Sequence, residues 1–181
     1  MGQFHRTFSL SLTLQKGSVQ QGETISLYPV GGAPPYSFGL VAANLYYTGT
    51  LGSITNQAYT AGTSIGNVTI HLTDADGSSV DSQVTIIPPT PTSFNVQNNT
   101  GGPGNDLLLS WGYGNTSLSS GFQIQRSTDG VTFTDLVSQP TTATSYVDSP
   151  LNPGQTYYYR MYAVAGPYQS LLTGVMGASP S

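Results

Sequence analysis

The stretch from Leu151 to Ala165, which reads LNPGQTYYYRMYAVA, decides the fold of the second half of the chain. Its Pro-Gly pair is typical of a tight turn, because proline fixes one backbone angle and glycine accepts conformations that other residues avoid. After the turn, side chains of different character alternate over nine residues, as they do in a strand whose two faces meet different surroundings. The stretch therefore predicts a corner followed by a long β-strand.

The composition favours β-structure with a polar but weakly charged surface. The chain has 181 residues, which suggests one or two domains, and 12 tyrosines and 6 phenylalanines that can build cores. Only 7% of the residues are charged, whereas an average soluble protein has about a quarter. Such a surface offers little electrostatic repulsion, so self-association is one of the expected modes of interaction.

Several classes of partner are excluded by the same counts. The net charge is −4 with only four lysines and arginines, and phosphate neutralisation needs clustered cations, so we expect no nucleic acid. No apolar run approaches the roughly 20 residues of a membrane span, so we expect no membrane insertion. Cysteine is absent, which removes disulfides and thiolate metal sites. The N-terminal residues lack the apolar stretch and cleavage site of a secretion signal.

A proline-rich segment, PPTP at residues 88–91, marks the predicted domain boundary. Proline density stiffens a linker and does not fit inside a paired strand. Short strand patterns with frequent turn residues fill both sides, whereas no segment keeps helical periodicity. We therefore predict an all-β fold of two tandem Ig-like β-sandwiches joined by a short proline-rich linker. The divisions are an arm at 1–7, sandwiches at 8–87 and 92–181, and the linker between them.

The second half resembles a fibronectin type III domain over residues 92–179. Trp111 matches the core tryptophan of that family, and the Leu151 segment matches its tyrosine corner. The resemblance implies that Leu151 packs under the corner, Pro153 shapes it, and the hydroxyl of Tyr157 bonds to nearby backbone. It also implies a hairpin turn at Ser127–Gly130, with Asp-Gly supplying positive φ angles, and a closing strand within Leu171–Ala178.

The first half is similar to bacterial Ig-like repeats of the cadherin-like type, which occur in surface and phage proteins. The similarity rests on the blocks GGAPPYSF, YTAG and LTDADG, in that order, within residues 8–87. Alternation of Phe8, Leu10, Leu12 and Leu14 with polar residues also predicts a first strand with one buried face. Residues 46–47 are expected in or near a loop, and the glycine-rich residues 98–105 are expected to form a flexible one.

Little in the sequence points to catalysis, and we predict a non-enzymatic protein without cofactor or metal. Asp74 and Asp76 resemble the start of a calcium loop, but the twelfth position is Thr85 rather than an acidic residue. An acidic turn is the better interpretation. His71 is expected on the face of its strand opposite the core. No Gly-Xaa-Ser-Xaa-Gly nucleophile elbow is present, and the chain has one glutamate and two histidines.

Four residues are candidates for contact with a partner: Phe4, Tyr158, Arg160 and Tyr162. Phe4 belongs to the short arm, which could dock by burying that ring. The other three share one face of the predicted strand, where Arg160 could stack across the tyrosines. The alternative is that these rings only cover sheet surface, without any ligand.

The function predicted from these features is structural or adhesive. The first hypothesis is a phage virion surface protein, a head decoration or tail-associated component. It would dock on a repeating lattice of capsid or tail proteins and project Ig-like modules, for which weak binding to cell-surface glycans is a further expected contact. The alternative is a spacer or a carbohydrate- or protein-binding module pair from a secreted bacterial adhesin or polysaccharide-degrading enzyme, on the extracellular or bacterial cell surface. Both rest on analogy at the level of the fold.

Overall fold

The computed structural model describes residues 8–114 and 118–181, which form strands, turns and no α-helix. The chain divides after Ile87 into two compact units, and each is a β-sandwich of two sheets. The prediction of an all-β fold is confirmed. No helix within the described ranges is long and apolar enough to cross a membrane.

The first unit contains eight strands in two four-stranded sheets. They are β1 (Ser11–Leu14), β2 (Ser18–Gln20), β3 (Thr24–Val30), β4 (Ser37–Tyr47), β5 (Gly52–Thr55), β6 (Ala58–Ala61), β7 (Ile65–Thr73) and β8 (Ser79–Ile87). One sheet has the order β1-β3-β6-β5 and the other β2-β8-β7-β4. Strands β4 and β5 therefore lie at sheet edges.

The beginning of the first unit contributes to both sheets. Strand β1 pairs antiparallel with β3, whereas β2 pairs parallel with β8. The prediction of one buried face from Phe8 onward is wrong at Phe8, which is 72% exposed. The pairing of β1 begins only at Ser11, opposite Val30 at the end of β3. Phe8 therefore lies beyond the strand that would cover it.

The core of the first unit is mainly aliphatic. Its fully buried side chains are Val19, Ile25, Leu27, Tyr59, Ile65, Val68, Ile70, Leu72, Val84 and Ile86. The hydroxyl of Tyr59 donates a hydrogen bond to the carbonyl of Leu51 at 2.6 Å, which satisfies its polar atom inside the apolar core. Tyr46 and Tyr47, expected in or near a loop, are the last two residues of strand β4 and directly precede a loop.

The second unit contains eight further strands. They are β9 (Thr92–Asn98), β10 (Leu107–Gly112), β11 (Gly121–Ser127), β12 (Thr134–Gln139), β13 (Ser145–Asp148), β14 (Tyr157–Ala165), β15 (Tyr168–Gln169) and β16 (Met176–Ala178). One sheet has the order β13-β10-β9. The other has the order β12-β11-β14-β15, with β16 also pairing with β14.

The core of the second unit is more aromatic and contains an ion pair. Trp111 packs edge-on against Phe122, with ring centroids 5.7 Å apart. Arg126 binds Asp148 through Nη1 at 2.9 and 3.1 Å, and Asp148 also accepts a hydrogen bond from the hydroxyl of Tyr159 at 2.8 Å. Asp148 lies on β13 and the other two on β11 and β14, so this network connects the two sheets.

Two local expectations for the second unit are corrected. In the turn after β11, Gly130 has a positive φ of 74° but Asp129 does not. The Asp129 carboxylate instead accepts N–H groups from Val131 and Thr132, so the turn extends further before β12 begins. The closing segment is also broken: only Met176–Ala178 pairs as a strand, whereas residues 170–175 leave the regular ladder.

Candidate binding face

The outward face of the sheet that contains β14 carries three of the predicted contact residues. Along β14, residues 157, 159, 161, 163 and 165 are buried and the intervening ones are partly exposed. Tyr158, Arg160 and Tyr162 therefore share the outward face, because successive side chains of a strand point to opposite sides. Phe4 lies outside the described residues.

Arg160 is held in one orientation by two neighbours. Its Nε donates a hydrogen bond of 2.7 Å to Oε1 of Gln125, the residue directly across from it on β11. Its guanidinium carbon lies 4.1 Å from the centroid of the Phe133 ring, a cation–π contact. The expected stacking across the tyrosines is therefore not the arrangement found, since Phe133 takes that place.

Gln125 is itself fixed by the neighbouring strand. Its Nε2 donates to Oδ1 of Asp135 at 2.8 Å, while its oxygen accepts from Arg160. The amide therefore uses both ends and connects an aspartate on β12 to an arginine on β14. This cross-strand series orders the guanidinium before any partner arrives.

Arg160 and Tyr162 line a depression of about 350 Å³ on this face. Gln125, Gln169, Ser170, Leu171 and Leu172 complete its lining. Burial raises the pKa of the Tyr162 phenol, and the charge of Asp135 adds to the effect. The hydroxyl therefore stays protonated at neutral pH and available as a donor. We call this depression the arginine depression.

Two leucines that line the arginine depression are largely exposed. Leu171 is 56% and Leu172 44% exposed, because their segment has left the regular ladder of β14. The hydroxyls of Ser170 and Thr173 accept hydrogen bonds from the backbone N–H groups of Ala163 and Met161. Side chains thus replace part of the ladder and leave the leucines turned outward.

Tyr158 occupies another part of the same face and covers the sheet. A Cβ built on Gly177 would come within 2.9 Å of its ring, and one on Gly130 within 3.6 Å. The ring therefore lies closely against two glycines, in line with the alternative that it only covers sheet surface. Of the four predicted contact residues, the arginine depression brings together Arg160 and Tyr162.

The residues assigned to the corner lie within one short segment. Leu151 and Tyr157 are buried, whereas Pro153 is exposed in the turn. The Tyr157 hydroxyl accepts a hydrogen bond from the backbone N–H of Asn152 at 3.2 Å. Gly154, in the turn between them, has a φ of 78°, a conformation that favours glycine. Trp111, only 4% exposed, lies in the core.

In the acidic turn of the first unit, the carboxylate of Asp74 already accepts hydrogen bonds from backbone N–H groups. Asp74 accepts N–H groups from Ala33, Asp76 and Ser78 at 2.8 to 3.1 Å. His71 pairs with Asp81 across two strands at 2.5 Å on an exposed surface. Within residues 8–114 and 118–181, no group of three or more His, Cys, Asp or Glu side chains could hold a metal ion.

Comparison with known proteins shows which solved structures have a similar fold. No protein-family model matches the chain, and no curated protein sequence matches it. A segment of two fibronectin type III domains from chicken tenascin aligns with 93% of this chain and 98% of its own, at 15% identity and a TM-score of 0.58.

Two further structures are similar. A cytokine receptor complex aligns with 94% of this chain and 96% of its own, at 18% identity and a TM-score of 0.57. An Fn3-like protein from Clostridium thermocellum aligns with 50% of this chain and 91% of its own, at 25% identity and a TM-score of 0.43. The tenascin segment and the cytokine receptor complex show the fold alone. The likeness of the first unit to cadherin-like repeats stays a prediction.

Proposed function

We propose that this chain, whose second unit has the fibronectin type III fold of structural and binding modules, is a non-catalytic docking protein on the surface of a phage particle. The second unit binds a repeating lattice of capsid or tail proteins through the arginine depression. The first unit then remains available for a different contact.

The observation that carries this proposal is the ordered guanidinium of Arg160. Arginine and tyrosine are the residues that most often dominate the energy of protein interfaces. Arg160 is already stacked on Phe133 and tethered to Gln125. A side chain ordered in advance loses less conformational entropy on binding than a free one, which normally costs about 0.5–1.5 kcal/mol.

The residues that line the arginine depression indicate which groups the partner should present. A carboxylate on the lattice protein would pair with the planar guanidinium, which suits that geometry. Exposed Leu171 and Leu172 would bury apolar surface beside it. Apolar contacts next to a charged contact exclude water, which strengthens the charged contact.

A weakly charged surface suits assembly on a lattice. Charged residues make up only 7% of the chain, so neighbouring copies would repel one another little. Contacts repeated across a lattice reinforce each other, and individually weak sites then give firm attachment. The resemblance of the first half to repeats found in surface and phage proteins supports the choice of a phage particle.

Sedimentation with particles tests the proposal. The purified chain is mixed with virions or empty capsids of its source and pelleted, and we expect a fixed copy number per particle. Arg160→Gln should weaken binding about tenfold or more, because a central arginine is a typical hot spot. Lys16→Gln is the matched control, since it removes the same charge from an exposed pair with Glu23 in the first unit.

Either of two results would overturn the proposal. Absence of co-sedimentation with virions and capsids would remove the docking function itself. Equal binding by the wild type and Arg160→Gln would move the contact away from the arginine depression.

A further inference from the structure

A second depression lies on the first unit, between strands β4 and β5, each at the edge of its own sheet. Its volume is about 490 Å³, within the range of about 300–1,000 Å³ that is typical of small-ligand sites. Tyr36, Phe38, Ile54, Asn56 and Gln57 line it, together with two consecutive prolines. We call it the amide depression.

Two residues that line the amide depression are held by hydrogen bonds. The hydroxyl of Tyr36 donates to the carbonyl of Gly31 at 2.6 Å, which holds its ring in place. In the turn that also lines the depression, the carbonyl of Gln57 accepts a hydrogen bond from the backbone N–H of Leu27 at 2.8 Å. The site is therefore formed in advance of any ligand, as small-molecule sites usually are.

The turn that supplies the two amides has an unfavourable backbone. Asn56 and Gln57 connect β5 to β6, and their φ angles are 50° and 60°. Two-residue hairpin turns of this kind strongly favour Asn-Gly, because both positions need positive φ. Asparagine tolerates that region, but glutamine does not do so readily. A residue with an unfavourable backbone that lines a depression suggests a role for that residue in binding.

The residues of the amide depression indicate which ligand it takes. None of its lining residues is charged, so an ionic ligand would find no partner. The amides of Asn56 and Gln57 each offer donors and an acceptor, the pattern that hydroxyl groups require. The rings of Tyr36 and Phe38 and the side chain of Ile54 offer apolar contacts for C–H groups.

From this geometry we propose that the amide depression binds a neutral saccharide. The Asn56 and Gln57 amides bond its hydroxyl groups, and its C–H surface packs against Tyr36 and Phe38. The site lies wholly within the first unit. The proposal of saccharide binding is therefore tested independently of docking through the arginine depression.

Titration of the ¹⁵N-labelled full chain tests the proposal. The probes are maltohexaose, cellohexaose, mannohexaose and laminarihexaose, each up to about 10 mM, which detects even millimolar affinity. With at least one of them, the side-chain amide signals of Asn56 and Gln57 and the backbone signal of Tyr36 should shift together.

Gln57→Gly separates binding from folding. Relief of the positive-φ strain should raise the melting temperature by a few degrees, while loss of the amide should weaken saccharide binding about tenfold. Gln21→Ala is the control, because Gln21 lies in another turn of the same unit and outside the depression. It should leave the affinity unchanged.

Three results would overturn the proposal. The first is the absence of shifts at these signals with all four saccharides. The second is unchanged affinity in Gln57→Gly, which would place binding elsewhere. The third is a lower melting temperature in that variant, which would mean that the glutamine serves the turn rather than a ligand.

Discussion

Two fully buried tyrosines, one in each unit, donate their hydroxyl groups to different kinds of hydrogen-bond acceptor. Tyr59 in the first unit donates its hydroxyl to the neutral carbonyl of Leu51, whereas Tyr159 in the second donates to the carboxylate of Asp148. Burial raises the pKa of Tyr59 to about 12. Burial raises that of Tyr159 further, because its hydrogen bond to Asp148 adds to the effect.

The difference extends to the neighbours of each tyrosine. Asp148 also binds Arg126, so the second core contains a charge pair in which the aspartate is 5% and the arginine 34% exposed. Burial lowers the pKa of the Arg126 guanidinium, but the hydrogen bonds and charge of Asp148 outweigh burial and raise it overall. A neutral hydrogen bond can be lost alone, whereas removal of one member of a charge network leaves the others unpaired. The second unit should therefore be the more sensitive to single substitutions of polar core residues.

Asp148→Asn should give the largest effect on stability. It leaves the Arg126 charge without its partner, and we expect a loss of about 2–4 kcal/mol, somewhat below the usual range for a buried pair because the guanidinium is partly exposed. Urea unfolding followed by the fluorescence of Trp111 reports on the second unit, because the chain has one tryptophan.

Asp135→Asn is the matched control for that experiment. It changes an exposed aspartate of the same unit and should cost no more than about 0.5 kcal/mol. If both substitutions moved the urea midpoint equally, the charge network would not be a main source of the second unit's stability.

A pair of tyrosine substitutions sharpens the comparison between the units. Tyr159→Phe removes a hydrogen bond to a charged group and should cost about 1.5–3 kcal/mol, whereas Tyr59→Phe removes a neutral one and should cost about 0.5–1.5 kcal/mol. Amide hydrogen exchange in β7 reports on the first unit, and Trp111 fluorescence reports on the second. Equal losses would mean that the charge of Asp148 adds nothing to the bond that it accepts.

The sequence predicts best where a feature is local. The corner is contained in seven consecutive residues, from Leu151 to Tyr157. The Pro-Gly pair indicates the turn, and the resemblance to fibronectin type III domains indicates the tyrosine that returns to it. Alternation along β14 likewise predicts which side chains share a face, and Arg160 and Tyr162 do share one. The overall prediction of paired β-sandwiches follows from the same short-range patterns together with the proline-rich boundary.

The sequence is least predictive for features that depend on contacts between segments far apart in the chain. Phe133 lies in an irregular stretch before β12, and only the path of that hairpin brings it over Arg160. Phe8 looks like the start of a strand until β3 is seen to end at Val30. The closing segment fails as a strand because the hydroxyls of Ser170 and Thr173 take backbone N–H groups that a regular ladder would use.

The amide depression is the clearest case of a feature hidden from the sequence. It requires two edge strands from different sheets to lie beside each other, which no periodicity predicts. It also depends on a positive φ at Gln57, where the known preference would place glycine. Only the fold shows that an ordinary-looking Asn-Gln pair is an uncommon hairpin turn.

Two surface carboxylates, one in each unit, give the smallest effect that we expect to distinguish the units, a difference in how their pKa values respond to salt. In the first unit, the pKa of Glu23 is lowered mainly by its hydrogen bond to charged Lys16 and then by the N–H of Gln20. In the second unit, the pKa of Asp129 is lowered by uncharged donors, first the Ser127 hydroxyl and then the N–H groups of Val131 and Thr132. Salt weakens the attraction between exposed charges, and the screening length shortens from about 10 Å at 0.1 M to about 3 Å at 1 M.

Raising the salt concentration from about 0.05 to 0.5 M should therefore move the pKa of Glu23 upward and leave that of Asp129 nearly unchanged. Carboxyl NMR signals followed against pH measure both values in one sample.

Because the folded pKa of Asp129 lies below its ordinary value of 3.8, its stabilising effect is fully present above about pH 4 and is lost as the pH falls through the lower value. Asp129→Asn should remove this part of the acid dependence from the second unit, and an equal response of both carboxylates to salt would contradict the distinction between charged and uncharged partners.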